Sequence, residues 1–266
     1  MKIKKYLTVF KASWSRTMTY RVDLLMWRLR SIMVLVMLYY VWHSLTLSSG
    51  KFAGYTSSEI FTYVLWVNFL RSAVFGTQTR QMAAEINNGW FNKYLVTPVN
   101  FFWYEFFREL AERIINLILA IIEVVIFYFI VKPEIILQAD IKIIIIFIFS
   151  VLLALFLYYL LSYLMALIAF WSREAMGPRF LFEWTLEFCS GAFFPIDILS
   201  KAIFSFLHFL PFAYLIFLPI NIYLSRINLQ SAGLVILIQL FWILTFSFLV
   251  YMTWNKGLKK YTGEGI

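Results

Sequence analysis

From Ile143 to Trp171 the chain runs through nearly 30 positions without one charged side chain. Roughly 20 apolar residues suffice for a helix to cross a bilayer, so this stretch must tilt or project beyond the hydrocarbon. Four further runs have spanning character: Ser31 to Leu47, Ile60 to Thr79, Ile114 to Val131 and Ala232 to Trp254. A fifth, Phe180 to Phe194, is short and ends in Gly191, Pro195 and Asp197, which predicts a helix that stops inside the membrane. Residues 195–230 are apolar but cut by Pro211 and Pro219 into pieces too short to cross, the pattern of re-entrant or interfacial helices. The composition agrees: 62% of residues are hydrophobic, 14% are charged and the mean hydropathy is +0.80, whereas the apolar share of a soluble domain is about half or less. The expected fold class is therefore an all-α polytopic membrane protein. It has six transmembrane helices, an N-terminal amphipathic helix, and re-entrant helices between spans five and six. One transmembrane domain covers residues 1–266, leaving no length for a separate soluble domain, so any energy source must come from another chain.

Charge placement predicts the topology. Residues 1–30 carry Lys2, Lys4, Lys5, Lys11, Arg16, Arg21, Arg28 and Arg30 against the single acid Asp23. Tyr6, Val9, Phe10, Trp14 and Met18 recur between them at helical spacing, which predicts a basic amphipathic helix on the inner leaflet; no cleavable signal peptide is expected. Five basic residues, Lys51, Lys132, Lys142, Lys201 and Arg226, fall in expected outer segments such as the loop 48–59, and the other 18 of the 23 in inner ones. That asymmetry places both termini in the cytoplasm. The formal net charge of +9 thus reads as an orientation signal, and no nucleic-acid partner is expected. Arg173, Glu174, Gly177, Pro178 and Arg179 form a tight inner turn.

Between two of the spans lies residues 80–105, RQMAAEINNGWFNKYLVTPVNFFWYE. Its polar groups belong in water or at the interface. Trp90, Phe91, Tyr94 and Leu95 fall on one side of a short amphipathic helix, with Asn92 and Lys93 on the other; Gly89 and Pro98 bend its ends. Glu85 and Lys93 supply orientation. Such a piece either grips a soluble partner or only anchors the spans. Beyond it, Glu105, Arg108, Glu109, Glu112 and Arg113 read as a solvated helix end in which Glu105 pairs with Arg108 and Glu109 with Arg113.

Several polar residues fall inside the apolar runs: Asn68, Arg71, Asn116, Glu123, Glu183 and Glu187. Arg71 is placed to snorkel toward the headgroups. Glu123, near the centre of its span, must face the protein interior or be protonated. No phosphate loop, zinc-protease helix, nucleophile elbow or CxxC pair occurs, and His43 and His208 stand far apart on apolar stretches. The single Cys189 excludes a disulfide within the chain. No catalytic residue, metal or cofactor is expected, and the chain is not read as an enzyme.

The basic N-terminal helix, the inner segment from Glu85 to Val99 with its E-I-x-x-G-x-x-x-x-Y-L-x-x-P arrangement, and the proline-broken outer segment together resemble the type-2 permeases of ABC exporters. The likeness is to the small six-span bacterial subunits without a fused ATPase, and it covers nearly the whole chain. It implies a permease domain that pairs with a second copy or a sister permease in the plasma membrane and binds soluble ABC ATPase subunits. In this resemblance the segment holding Glu85, Gly89, Trp90, Phe91, Lys93, Tyr94, Leu95 and Pro98 serves as the coupling helix, and the re-entrant helices close the outer end of the path. A secondary transporter in which Glu123 and the Glu183/Glu187 pair carry protons is the alternative reading.

Overall fold

The computed structural model describes residues 2–47, 50–76, 78–172 and 174–262. Ser48 and Ser49 of the expected outer loop, and Arg173 of the expected inner turn, lie outside the described residues. In chain order the helices are α1 (Lys2–Thr19), α2 (Arg21–Thr46), α3 (Ser57–Val74), α4 (Gln78–Asn87), α5 (Asn92–Leu95), α6 (Phe101–Val131), α7 (Ile141–Ala166), α8 (Met176–Cys189), α9 (Lys201–Phe209), α10 (Phe217–Tyr223) and α11 (Leu229–Lys260). A two-stranded antiparallel hairpin, β1 (Lys51–Phe52) and β2 (Tyr55–Thr56), joins α2 to α3.

Helices begin where the sequence supplies an oxygen for the unpaired amides of the first turn. At α3, Thr56 Oγ1 accepts from the Glu59 amide at 3.3 Å and the Glu59 carboxylate accepts from the Thr56 amide at 2.7 Å, a complete capping box. Asn100 caps α6 at 3.2 Å, Asp140 caps α7 at 2.8 Å and Asn228 caps α11 at 2.8 Å. Among the described residues, five stretches are long and apolar enough to cross a membrane: Val22–Thr46, Ser57–Asn87, Phe101–Val131, Ile141–Phe170 and Leu229–Lys260. Helix α8, at the place of the expected fifth span, has 14 residues. At about 1.5 Å per residue it reaches about 21 Å, against about 30 Å of hydrocarbon.

Two boundaries differ from the sequence reading. The expected amphipathic helix over 1–30 ends at Thr19, and a break at Tyr20 starts α2, so Arg28 and Arg30 belong to the first spanning helix. The charges of α2 disguised its start, since the bundle pairs one of them internally. Helix α1 lies along the beginning of α6: the Tyr6 ring stacks on Phe107 at 5.5 Å, and Lys5 Nζ donates to the Pro98 carbonyl at 3.2 Å. The second run is likewise divided, with Phe75 and Gly76 separating α3 from α4.

The proline-broken segment is a chain of short pieces around α9 and α10, with 3-10 turns at Ile196–Ile198 and Pro211–Tyr214. Helix α10 is buried along its whole length against α7 and α3. Gly191 turns the chain out of α8 with φ +84°; a Cβ there would stand 2.6 Å from the Tyr63 hydroxyl, which itself donates to the Gly191 carbonyl at 2.6 Å. The Phe217 amide donates to the Ser190 carbonyl at 3.0 Å. At the β1–β2 hairpin, the Tyr55 hydroxyl donates to Asp197 at 2.9 Å, and the Arg226 guanidinium lies 3.7 Å over the Tyr55 ring while pairing with Glu59 at 3.1 Å.

Helices α7 and α11 pack along each other, and their buried polar link is Gln239. Its Nε2 donates to the Ser150 carbonyl at 3.1 Å and to the Tyr214 carbonyl at 2.9 Å, and its Oε1 accepts from Ser150 Oγ at 3.0 Å. One amide thereby ties two spanning helices to the broken segment. Gln239→Leu removes all three bonds, and hydrogen bonds between membrane helices contribute about 1 kcal/mol each. The variant is expected to insert normally but to lose about 2 kcal/mol of stability, read as a lower midpoint of thermal unfolding in detergent.

Candidate functional site

The segment between α4 and α6 is built on a turn. Helix α4 ends at Asn87, Gly89 adopts φ +74°, and the Phe91 amide reaches back to the Glu85 carbonyl at 3.0 Å. The single turn of α5 follows. Phe91 is fully buried, with ring centroids of Phe101, Phe170, Trp254 and Tyr261 between 5.0 and 5.8 Å away. Tyr94 is buried beside it and its hydroxyl donates to Glu85 at 3.0 Å. Burial and the neighbouring Glu85 carboxylate push this hydroxyl well above its ordinary range, so it remains a donor. Trp90 is 66% exposed, and Lys93, Leu95, Val96 and Pro98 are exposed with it.

The expected apolar face of Trp90, Phe91, Tyr94 and Leu95 is therefore divided. A helix of four residues is too short to carry one stripe, so Phe91 and Tyr94 point into the bundle while Trp90 and Leu95 point out. Lys93 bridges the two sides, its Nζ 4.7 Å from the Tyr94 centroid and 5.5 Å from that of Trp90.

Four of the five charges after this segment are not solvated, contrary to the sequence reading; Glu112 alone is half-buried. Glu105 has no exposed surface, and Arg108, Glu109 and Arg113 are buried with it. Both expected pairs form, Arg108 to Glu105 at 2.9 Å and Arg113 to Glu109. Arg108 also holds Glu85 at 3.2 Å, Gln78 at 3.2 Å and Gln81. One guanidinium thus fastens α4 to α6 at three positions. Arg113 Nη1 donates to the Leu155 carbonyl of α7 at 3.1 Å. The spacing of three and four puts these charges on one stripe of an otherwise apolar helix, and that stripe faces the interior because the other side meets lipid.

Deeper in the bundle, Glu123 accepts from Arg28 in bidentate fashion along one guanidinium edge, from Nε to Oε1 at 2.6 Å and from Nη2 to Oε2. Asn68 Nδ2 approaches the same carboxylate at 3.5 Å, and Arg28 Nη1 donates to Ser72 at 3.0 Å. This site joins α2, α3 and α6. Glu183 accepts from Arg80 Nε at 3.0 Å and from Arg179 Nε at 2.8 Å. Glu187 takes Arg71 Nη2 at 2.6 Å, while that guanidinium lies 5.2 Å over the Phe193 ring. Arg71 is therefore a paired residue of the interior and does not snorkel.

Arg71, Arg80, Glu183, Glu187 and Asn116 line a cavity of about 530 Å³, which the α1–α2 junction closes on one side. The structure gathers Asn68 with Glu123, and Asn116 with Glu183 and Glu187, but sets the segment around α5 apart from both groups. Sequence reading missed Arg28, Arg80 and Arg179 as partners, and it paired Arg108 with Glu105 without its contacts to α4. A lone arginine near a helix end reads as topology, and its acid lies 95 residues away in the case of Arg28.

A family model described as ABC-2 family transporter protein matches residues 32–265. No curated protein matches the chain.

The Arg28–Glu123 pair offers a direct test of this interior. Removing one member of a buried ion pair leaves an uncompensated charge and costs about 3–5 kcal/mol. Glu123→Gln alone is expected to lower the unfolding midpoint strongly. The double variant Arg28→Gln with Glu123→Gln, which leaves no orphan charge, is expected to recover most of the loss in a double-mutant cycle.

Proposed function

This chain belongs to the ABC-2 family of transporter proteins, and on that premise we propose that it is the permease subunit of an ATP-driven exporter. It is a multi-pass membrane protein, the transmembrane and non-catalytic component of an ABC transporter. In the proposed assembly two such permeases, identical or sister chains, form the translocation path in a bacterial plasma membrane. Cytosolic ABC ATPase subunits hydrolyse ATP. Both termini face the cytoplasm, as the distribution of basic residues supports.

The observation that carries this reading is the exposed tip formed by Trp90, Leu95 and Val96 on a base that cannot yield. A coupling element must offer apolar surface to a partner and pass a push to the spans. Trp90 and Val96, with Leu95 between them, supply the surface. Phe91 in its aromatic cage and the Arg108 contacts to Glu85, Glu105, Gln78 and Gln81 supply the rigidity. The pairing of Glu123 with Arg28, of Glu183 with Arg80 and Arg179, and of Glu187 with Arg71 weighs against proton-coupled transport, since each acid is already engaged by an arginine and none stands free to shuttle a proton.

Two measurements test the reading. Large aromatics at interface centres often cost 2 kcal/mol or more on truncation, so Trp90→Ala is expected to reduce co-purification of the ATPase at least tenfold with the permease still stable. Phe91→Ala, by contrast, empties a core site worth about 3–5 kcal/mol and is expected to lower stability first; normal ATPase binding by Trp90→Ala would remove the segment from the coupling role. For orientation, with Cys189 replaced, single cysteines at Ala53 and Leu137 are expected to label from outside intact cells, and one at Asn92 only after permeabilisation.

A further inference from the structure

The arginine-rich cavity continues into a second, smaller space. Between α2 and α3 a narrow crevice of about 40 Å³ is lined by Val34, Leu35, Leu38, Val64 and Val67 and by Asn68, whose Nδ2 is turned to Glu123, and it shares Arg30, Ser31 and Arg71 with the cavity wall. A polar vestibule and an apolar slot thus meet at two guanidinium groups.

Positive charge at this junction is incompletely answered. Glu187 is taken by Arg71, Glu183 is shared by Arg80 and Arg179, and Arg28 is neutralised by Glu123. Arg30 forms no ion pair with a described residue; its guanidinium lies 5.5 Å over the Trp27 ring. Arg71 uses Nη2 on Glu187, but its Nη1 is buried with no hydrogen-bond partner among the described residues. An unsatisfied buried donor is costly, and Arg71, which lines both spaces, gains from an acceptor oxygen that seats against it.

We propose that this junction binds an anionic amphiphile, a molecule with a phosphate or carboxylate headgroup and a hydrocarbon tail. Arg30 and Arg71 Nη1 hold the headgroup, and the first carbons of the tail enter the slot between α2 and α3. Guanidinium groups match such oxygens by geometry as well as charge, and the valine and leucine walls reject a second polar end. The proposal deepens the transport reading by naming a ligand class, but rests on it only for the chain being a membrane protein, because binding needs neither ATPase nor turnover.

The test is equilibrium binding of radiolabelled dodecyl phosphate to the full chain purified alone in a maltoside detergent. Saturable binding is expected, with at least tenfold weaker affinity in Arg30→Gln, whose side chain is exposed and breaks no ion pair. Val34→Trp, which fills the slot, is expected to weaken dodecyl phosphate similarly. Arg226→Gln, at the β1–β2 hairpin, is expected to bind as the parent does. Undiminished binding in both Arg30→Gln and Val34→Trp overturns the proposal, as does equal binding of dodecyltrimethylammonium or equally effective displacement by inorganic phosphate. Reconstitution into phosphatidylcholine vesicles with and without phosphatidylglycerol then separates the sources: competition by phosphatidylglycerol assigns a bilayer lipid, and its absence assigns a soluble amphiphile, the site standing in either case. Loss of transport with this binding retained would overturn the exporter reading alone.

Discussion

A charge carried out of water must meet its opposite, and helix α6 carries four buried charges, Glu105, Arg108, Glu109 and Arg113, into the interior, with the largely covered Glu123 side chain beyond them. The arrangement of its neighbours follows from how these are answered. Arg28 fixes α2 against the middle of α6, Asn68 and Ser72 bring α3 to the same point, and Arg108 draws in α4. Apolar packing between helices gains little over lipid. The ion pairs and buried amides therefore specify which faces meet.

Much of this was legible before any coordinates. Long apolar runs locate the spanning helices because lipid leaves backbone and side-chain polar groups unanswered, and Thr56, Asn100, Asp140 and Asn228 mark helix starts by a chemistry that acts within three residues. The short α8 and the broken segment after it were announced by Gly191, Pro195, Pro211 and Pro219. What failed was everything that depends on a distant partner. Arg28 was assigned to a cytoplasmic flank because Glu123 is far off in the chain, and Arg71 was given to the headgroups because Glu187 could not be seen from it. The buried stripe on α6 was taken for a wet one because spacing reports a common face but not what that face meets.

The segment between α4 and α6 shows the same limit on a smaller scale. Helical spacing grouped Trp90 with Phe91, and Tyr94 with Leu95, yet neighbours in sequence parted company when the chain turned at Gly89. The result is a division of labour within a few residues: Phe91 and Tyr94 hold the tip to the bundle, and Trp90 and Leu95 are left for something else to cover. Helix α1, lying against α6 and touching Pro98 through Lys5, holds this end of the molecule from the other side.

Helix α8 leaves about 9 Å of hydrocarbon uncrossed if it stands upright. Its last turn directs backbone carbonyls, the negative end of a peptide dipole, into that remaining depth. Ser190 and Glu187 carbonyls there are engaged by Phe217 and Ala192 amides, so the proline-broken segment plugs the end of the helix as a stopper closes a neck. Lifting the α10 end of the stopper would bare the Ser190 carbonyl that Phe217 covers, and a polar solute climbing beside α8 would meet an acceptor at the depth where oil is otherwise all that remains.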